Sequence, residues 1–187
     1  MLDDGDLIVN ETNSTKADWV HDALRRYEGP LIRYAAQITG DLDRARDVVQ
    51  DTFIRLCTEK QDRVEPYLAQ WLFKVCRNRA LDVRRKESRM KTLSETEINS
   101  QVSTEPSPSA AMERREAADE ALQLLGTLSE NQQEVVRLKF QNGLSYQEIS
   151  AITNLTVTNV GFLIHTAIKS LRQQMQPGLA ANPRKTP

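Results

Sequence analysis

No apolar run in the sequence approaches the roughly 18 residues that a membrane-spanning helix needs. Aromatic residues make up only 5% of the chain, and 7 of its 187 residues are glycine. Strand-rich folds lean on aromatic and β-branched residues and on turn glycines, so an all-α fold with aliphatic cores is expected. Cysteine is almost absent too. Cys57 and Cys76 show no CxxC spacing and each falls within an apolar helical pattern, so both are read as reduced core residues. A phosphate-cradling glycine loop, a nucleophile elbow and a metal-spaced ligand cluster are missing, and the two histidines, His21 and His165, lie in different halves of the chain. The expectation is a protein that is not an enzyme and has neither cofactor nor metal. The start, "MLDDGDLIVNETNS", is acidic where a secretory signal is basic and then apolar, so a cytoplasmic location is expected.

What is present is a local excess of positive charge. Overall the chain is balanced, with 25 Lys and Arg against 26 Asp and Glu. From Lys74 to Lys91, however, the basic residues Lys74, Arg77, Arg79, Arg84, Arg85, Lys86, Arg89 and Lys91 meet only Asp82 and Glu87. A basic stripe on a balanced chain is the distribution expected where one face meets phosphate.

Two blocks of helical periodicity flank a polar connector. Residues 88–112 are rich in Ser, Thr, Glu and Pro and read as a flexible linker, while residues 1–14 and 177–187 read as disordered ends. The first block, 15–87, predicts four helices. Trp19, Val20, Ala23, Leu24 and Tyr27 mark one, which Gly29-Pro30 breaks; Leu31, Ile32, Tyr34, Ala35 and Ile38 mark a second, ending at Gly40. Asp41 or Asp43 caps a third, with Val48, Val49, Thr52, Phe53 and Leu56 inward. The loop "KQDRVE" leads to Pro66 and a fourth helix to about Lys86, burying Leu68, Leu72, Val75, Cys76, Ala80 and Val83. The second block, 113–176, predicts a helix from Arg114 to Leu125 and then two capping boxes, Ser129 with Gln132 and Ser145 with Glu148. A turn at "TNL" and a last helix from about Val157 to Met175 complete a helix-turn-helix pattern.

Two segments, "YEGPLIRYAAQITGDLDRARDVVQDTFIRL" and "YLAQWLFKVCRNRALDVRRK", followed across a Ser/Pro tether by "LSENQQEVVRLKFQNGLSYQEISAI", resemble the extracytoplasmic-function (group IV) sigma factors of bacterial RNA polymerase, in the sigma-70 family. The resemblance covers about Asp18 to Lys86, as sigma region 2, and Ala117 to Arg172, as region 4. It implies a promoter-specificity subunit that binds core polymerase through the β′ clamp helices and the β flap, and recognises -10 and -35 promoter DNA. An anti-sigma factor that holds the protein inactive is a further expectation from the family; membrane insertion is not expected. Two alternatives stand beside it: a free-standing helix-turn-helix regulator, and a helical adaptor that binds a protein partner without reading DNA.

The resemblance assigns core-polymerase binding to the helix containing "ARDVVQDTF", where Asp47, Gln50, Asp51 and Ile54 fall near one face at steps of three and four. A solvated surface is the plainer reading of the same residues. For the -10 element the candidates are Trp71, Lys74, Arg77, Asn78, Arg84, Arg85 and Lys86, with a base pocket formed partly by the loop at about Lys60 to Glu65. For Trp71 the favoured reading is a buried aromatic that anchors the bundle, ahead of stacking on DNA. For the -35 element the candidates are Thr156, Thr158, Asn159, Phe162, His165 and Lys169. Family members often show V-K-S-R-L-H-R-A in this helix; here the run Val160 to Ala167 puts Gly161, Leu163 and Thr166 at three usual basic positions. Fewer cations predict weak DNA binding by this block alone, with a shallow salt dependence. Phe162 and Leu163 read alternatively as an apolar patch that packs on another surface.

Overall fold

The computed structural model describes the backbone of residues 4–93 and 123–175, and the side chains of residues 16–90 and 123–175. The described residues fall into two compact all-α units, taken here in turn.

In the first unit, α1 runs without interruption over Asp4–Thr39, with Pro30 inside it. The break expected at Gly29-Pro30 does not occur. Proline removes one helical hydrogen bond and its ring crowds the preceding residue's Cβ, but Gly29 has no Cβ to crowd. Burial on both sides of Pro30, at Ala23 before it and Leu31, Tyr34 and Ala35 after it, holds one axis against the local penalty. The helix also reaches back to Asp4, into the segment whose composition suggests disorder.

Gly40, at φ +72°, ends α1, and its N–H donates to the Ala36 carbonyl at 2.9 Å. Asp41 then caps α2 (Leu42–Thr58), its carboxylate accepting from the Arg44 N–H at 2.9 Å. The inward face of α2 is Ala45, Val48, Val49, Thr52, Phe53 and Leu56. The Thr52 hydroxyl is satisfied within the core by donating to the Val48 carbonyl at 2.8 Å.

The connection expected as a plain loop holds a short helix α3 (Gln61–Val64), anchored by buried Val64, and a 3-10 turn (Glu65–Tyr67) containing Pro66. Next comes α4 (Leu68–Leu93), which continues past the end expected near Lys86. Leu72, Phe73, Cys76 and Ala80 of α4 are buried. The Phe73 ring meets Tyr34 of α1 edge-on, with centroids 5.3 Å apart. Cys57 is exposed rather than buried, because one residue beyond inward-facing Leu56 is about 100° further round a helix. Cys76 is in the core as expected, and burial pushes its thiol pKa up to about 12.

In the second unit, the end of the helix expected up to Leu125 is seen at 123–126; the rest of it, most of the connector and the C-terminal tail lie outside the described residues. Helix α5 (Glu130–Phe140) opens with the expected capping box between Ser129 and Gln132. Gly143, at φ +69°, turns the chain towards α6 (Tyr146–Thr153), whose box joins Ser145 and Glu148. Asn154, in the left-handed region at φ 60°, makes the tight turn into α7 (Val157–Met175). The bend between α6 and α7 is 105°, within the usual helix-turn-helix range. Val135, Leu138, Ile149, Ile152, Val160, Ile164 and Ala167 are buried. Leu128, Val136 and Ala167 form a cluster on which Leu125 and Leu171 pack. The core thus consumes one stripe of α7 and turns the opposite stripe outward.

Candidate functional site

On α2, Asp47, Gln50, Asp51 and Ile54 are all exposed, on the side opposite Val48, Val49, Thr52 and Phe53. Ile54 is 58% exposed, an apolar side chain set among polar ones. Asp51 is not solitary. Its Oδ2 accepts from Arg79 Nε of α4 at 2.8 Å, so the acidic face is joined to the basic helix. Arg44, at the start of α2, pairs likewise with Glu87 of α4.

On α4 the candidate stripe divides in two. Trp71, Lys74 and Arg77 are half-buried, whereas Asn78, Arg84, Arg85 and Lys86 are exposed. Arg85 is held by Asp82, one turn earlier, at 3.1 Å. Asp51, Arg55, Asn78, Arg79 and Asp82 line one shallow crevice between α2 and α4. Groups assigned to polymerase and to DNA therefore border each other, and both α2 and α4 contribute to that border.

On α7, Thr156, Thr158, Asn159, Phe162, His165 and Lys169 are all exposed. Thr156 also has a structural task, its hydroxyl accepting from the Asn159 N–H at 3.2 Å to cap the helix. The three usual basic positions are taken up by packing. Thr166 accepts from Gln132 Nε2 of α5 at 3.1 Å, and its own hydroxyl donates to the Phe162 carbonyl at 2.9 Å. Leu163 is half-buried. Gly161 lies against Tyr146 of α6, whose ring a Cβ at this position would meet at 3.6 Å.

Spacing within single helices could not reveal these cross-helix ties. Arg79 was visible in the basic run, but its partner is 28 residues away. Gln132 was legible as a capping residue and not as the bridge to α7. Lys139, whose Nζ donates to the Leu144 carbonyl at 3.1 Å and sits 5.4 Å from the Tyr146 ring, steadies the turn before α6. Among the described residues no His, Cys, Asp and Glu side chains gather into a metal-binding group, and no single helix is long and apolar enough to cross a membrane.

A basic α4 in one unit and a capped helix-turn-helix in the other are the features of a DNA-binding transcription protein. The Sigma-70 region 2 family profile matches residues 23–90, and the Sigma-70, region 4 profile matches residues 118–171. Among curated proteins, the ECF RNA polymerase sigma factor SigL of Mycobacterium tuberculosis is 31% identical over 151 residues, covering 78% of this chain and 82% of SigL. SigM of Bacillus subtilis is 27% identical over 164 residues, covering 86% and 97%. Of solved structures, the sigma factor RpoE bound to the anti-sigma factor NepR from Bartonella quintana aligns with TM-score 0.62 at 22% identity, covering 83% of this chain and 96% of that one. CnrH bound to the cytosolic domain of CnrY aligns with TM-score 0.55 at 26% identity, covering 84% and 88%. The chain belongs to the sigma-70 family, in its extracytoplasmic-function class. It is a sigma subunit of RNA polymerase, with core polymerase and promoter DNA as its partners.

Proposed function

We propose that the two units divide initiation between them: residues 15–87 bind core polymerase and open the -10 element, residues 113–176 read the -35 element, and residues 88–112 tether the two. In this reading Asp47, Gln50, Asp51 and Ile54 dock on the β′ clamp helices. Trp71, Lys74, Arg77, Asn78, Arg84, Arg85 and Lys86 engage the -10 strand, and Thr156, Thr158, Asn159, Phe162, His165 and Lys169 enter the -35 groove. The observation that carries it is the adjacency of an exposed acidic face on α2 to a basic α4, joined by Asp51 and Arg79. Such a pair lets one rigid bundle hold a protein helix on one side and nucleic acid on the next. A free-standing helix-turn-helix regulator has no use for this unit.

The protein works in the cytoplasm and contributes no catalytic chemistry of its own; polymerase supplies the reaction. Because a protein of this fold is seen bound to the anti-sigma factor NepR, and another to the cytosolic domain of CnrY, a comparable inhibitory partner is part of the proposal.

The test is binding of the purified chain to core RNA polymerase in solution, beside a Gln50→Ala, Asp51→Arg variant. Tight binding that the double variant loses supports the assignment of α2. Equal binding by both overturns that assignment, and no binding by the unmodified chain overturns the division of labour as a whole.

A further inference from the structure

We infer that Phe162 is a specificity-determining residue that reads the 5-methyl group of a thymine in the -35 major groove. The inference rests on the reading that α7 enters promoter DNA. No lysine or arginine occurs between Lys139 and Lys169, a span that contains all of α6 and the first three turns of α7. Its one acid, Glu148, is engaged in the capping box. The part of a recognition helix that meets base edges is its N-terminal part, so here base edges meet a surface without fixed cations.

At the centre of that surface stands Phe162, 63% exposed. Asn159 lies one turn before it and His165 one turn after, both exposed. Each of these neighbours can donate and accept hydrogen bonds, which suits a base edge. The apolar group that a base edge of unmodified DNA presents in the major groove is the thymine methyl. A ring flanked by two amphoteric polar groups matches a thymine set among hydrogen-bonding bases, and matches a purely apolar protein surface poorly. The turn carrying Phe162 is also held in place. Its carbonyl accepts the Thr166 hydroxyl, and Thr166 is bonded in turn to Gln132 of α5. The ring is thus presented from a fixed backbone, so contact requires little ordering.

The test uses holoenzyme assembled from core polymerase and the full chain. A preferred upstream element is selected from duplex templates randomised in the -35 region, and each selected thymine is then replaced singly by deoxyuridine, which keeps the hydrogen-bonding edge and removes the methyl. Initiation is compared for the unmodified protein, Phe162→Leu and Phe162→Ala, with a premelted template lacking the upstream element as control. At one thymine the methyl should be worth about fourfold to the unmodified protein, the value of one buried carbon, and similarly to Phe162→Leu. Phe162→Ala should initiate about fourfold less on the thymine template and no longer distinguish thymine from uracil. A Phe162→Ala holoenzyme that keeps the full discrimination, or a selected element without thymine, overturns the inference while leaving the polymerase reading intact. Failure of the unmodified chain on the premelted template overturns that reading, and this inference with it.

Discussion

Arg79 Nε donates to Asp51 Oδ2 at 2.8 Å, joining the middle of α4 to the outward face of α2. Both side chains are about half exposed, so the pair resembles other surface ion pairs in its small net worth. Asp51→Ala should lower folding stability by no more than about 0.5 kcal/mol. If Asp51 docks on polymerase, the same change should weaken core binding at least tenfold, on the order of 1.4 kcal/mol. Thermal unfolding and core-binding titrations separate the two quantities. A large stability loss with unaltered binding would make Asp51 a structural residue instead.

Pro30 leads to a second prediction. It sits inside α1, where it cannot donate the N–H that residue 30 would give to the Arg26 carbonyl. Pro30→Ala restores that donor and should stabilise the first unit by about 1–3 kcal/mol, less whatever packing the half-buried ring supplies. Urea unfolding monitored by helical signal is the measurement. A loss of stability would mean that the ring's contacts outweigh the missing bond.

Pro30 also shows where local reading of the sequence stops. Helix identity, both capping boxes and the boundaries of α7 were legible because each depends on residues three or four apart. Whether Gly29-Pro30 breaks a helix depends on what its flanks bury, and that is settled by α2 and α4 packing on α1. The same limit explains Cys57, whose pattern looked apolar although its angular position faces out. The candidate site follows suit. The exposure of Asp47, Gln50 and Phe162 followed from periodicity, while the ties from Asp51 to Arg79 and from Gln132 to Thr166 join residues 28 and 34 positions apart.

The two cysteines should separate cleanly by chemistry. Cys57 is exposed and should react with a thiol reagent in the folded protein; Cys76 should react only on unfolding. The Cys76 pKa is raised by burial from its ordinary value near 9.0 to about 12, with a weaker opposing contribution from its hydrogen bond with Thr52. A raised folded-state pKa means the folded protein holds its proton where the unfolded chain has lost it. The resulting stabilisation is fully present below about pH 9 and is lost as the pH climbs towards about 12, by up to about 1.4 kcal/mol per unit. Unfolding midpoints measured from pH 8 upward should fall accordingly. Rapid modification of both thiols in the folded state would contradict the burial of Cys76.

Gly161 allows stability and DNA affinity to be changed separately at one position. A glycine within a helix is worse than alanine by about 0.5–1 kcal/mol, and a Cβ here meets the Tyr146 ring at 3.6 Å, an ordinary contact distance. Gly161→Ala should therefore stabilise the second unit by roughly that amount and leave the salt dependence of promoter binding unchanged. Gly161→Lys introduces a cation into a stretch that has none between Lys139 and Lys169. If α7 lies in the major groove with this position near the backbone, the slope of log K against log salt for holoenzyme on duplex promoter should steepen by about 0.9, the release expected for one added phosphate contact. The alanine variant controls for helix stability, so any steepening belongs to the charge. An unchanged slope in Gly161→Lys, with the fold intact, would place this side of α7 away from phosphate and rule out that docking of the helix.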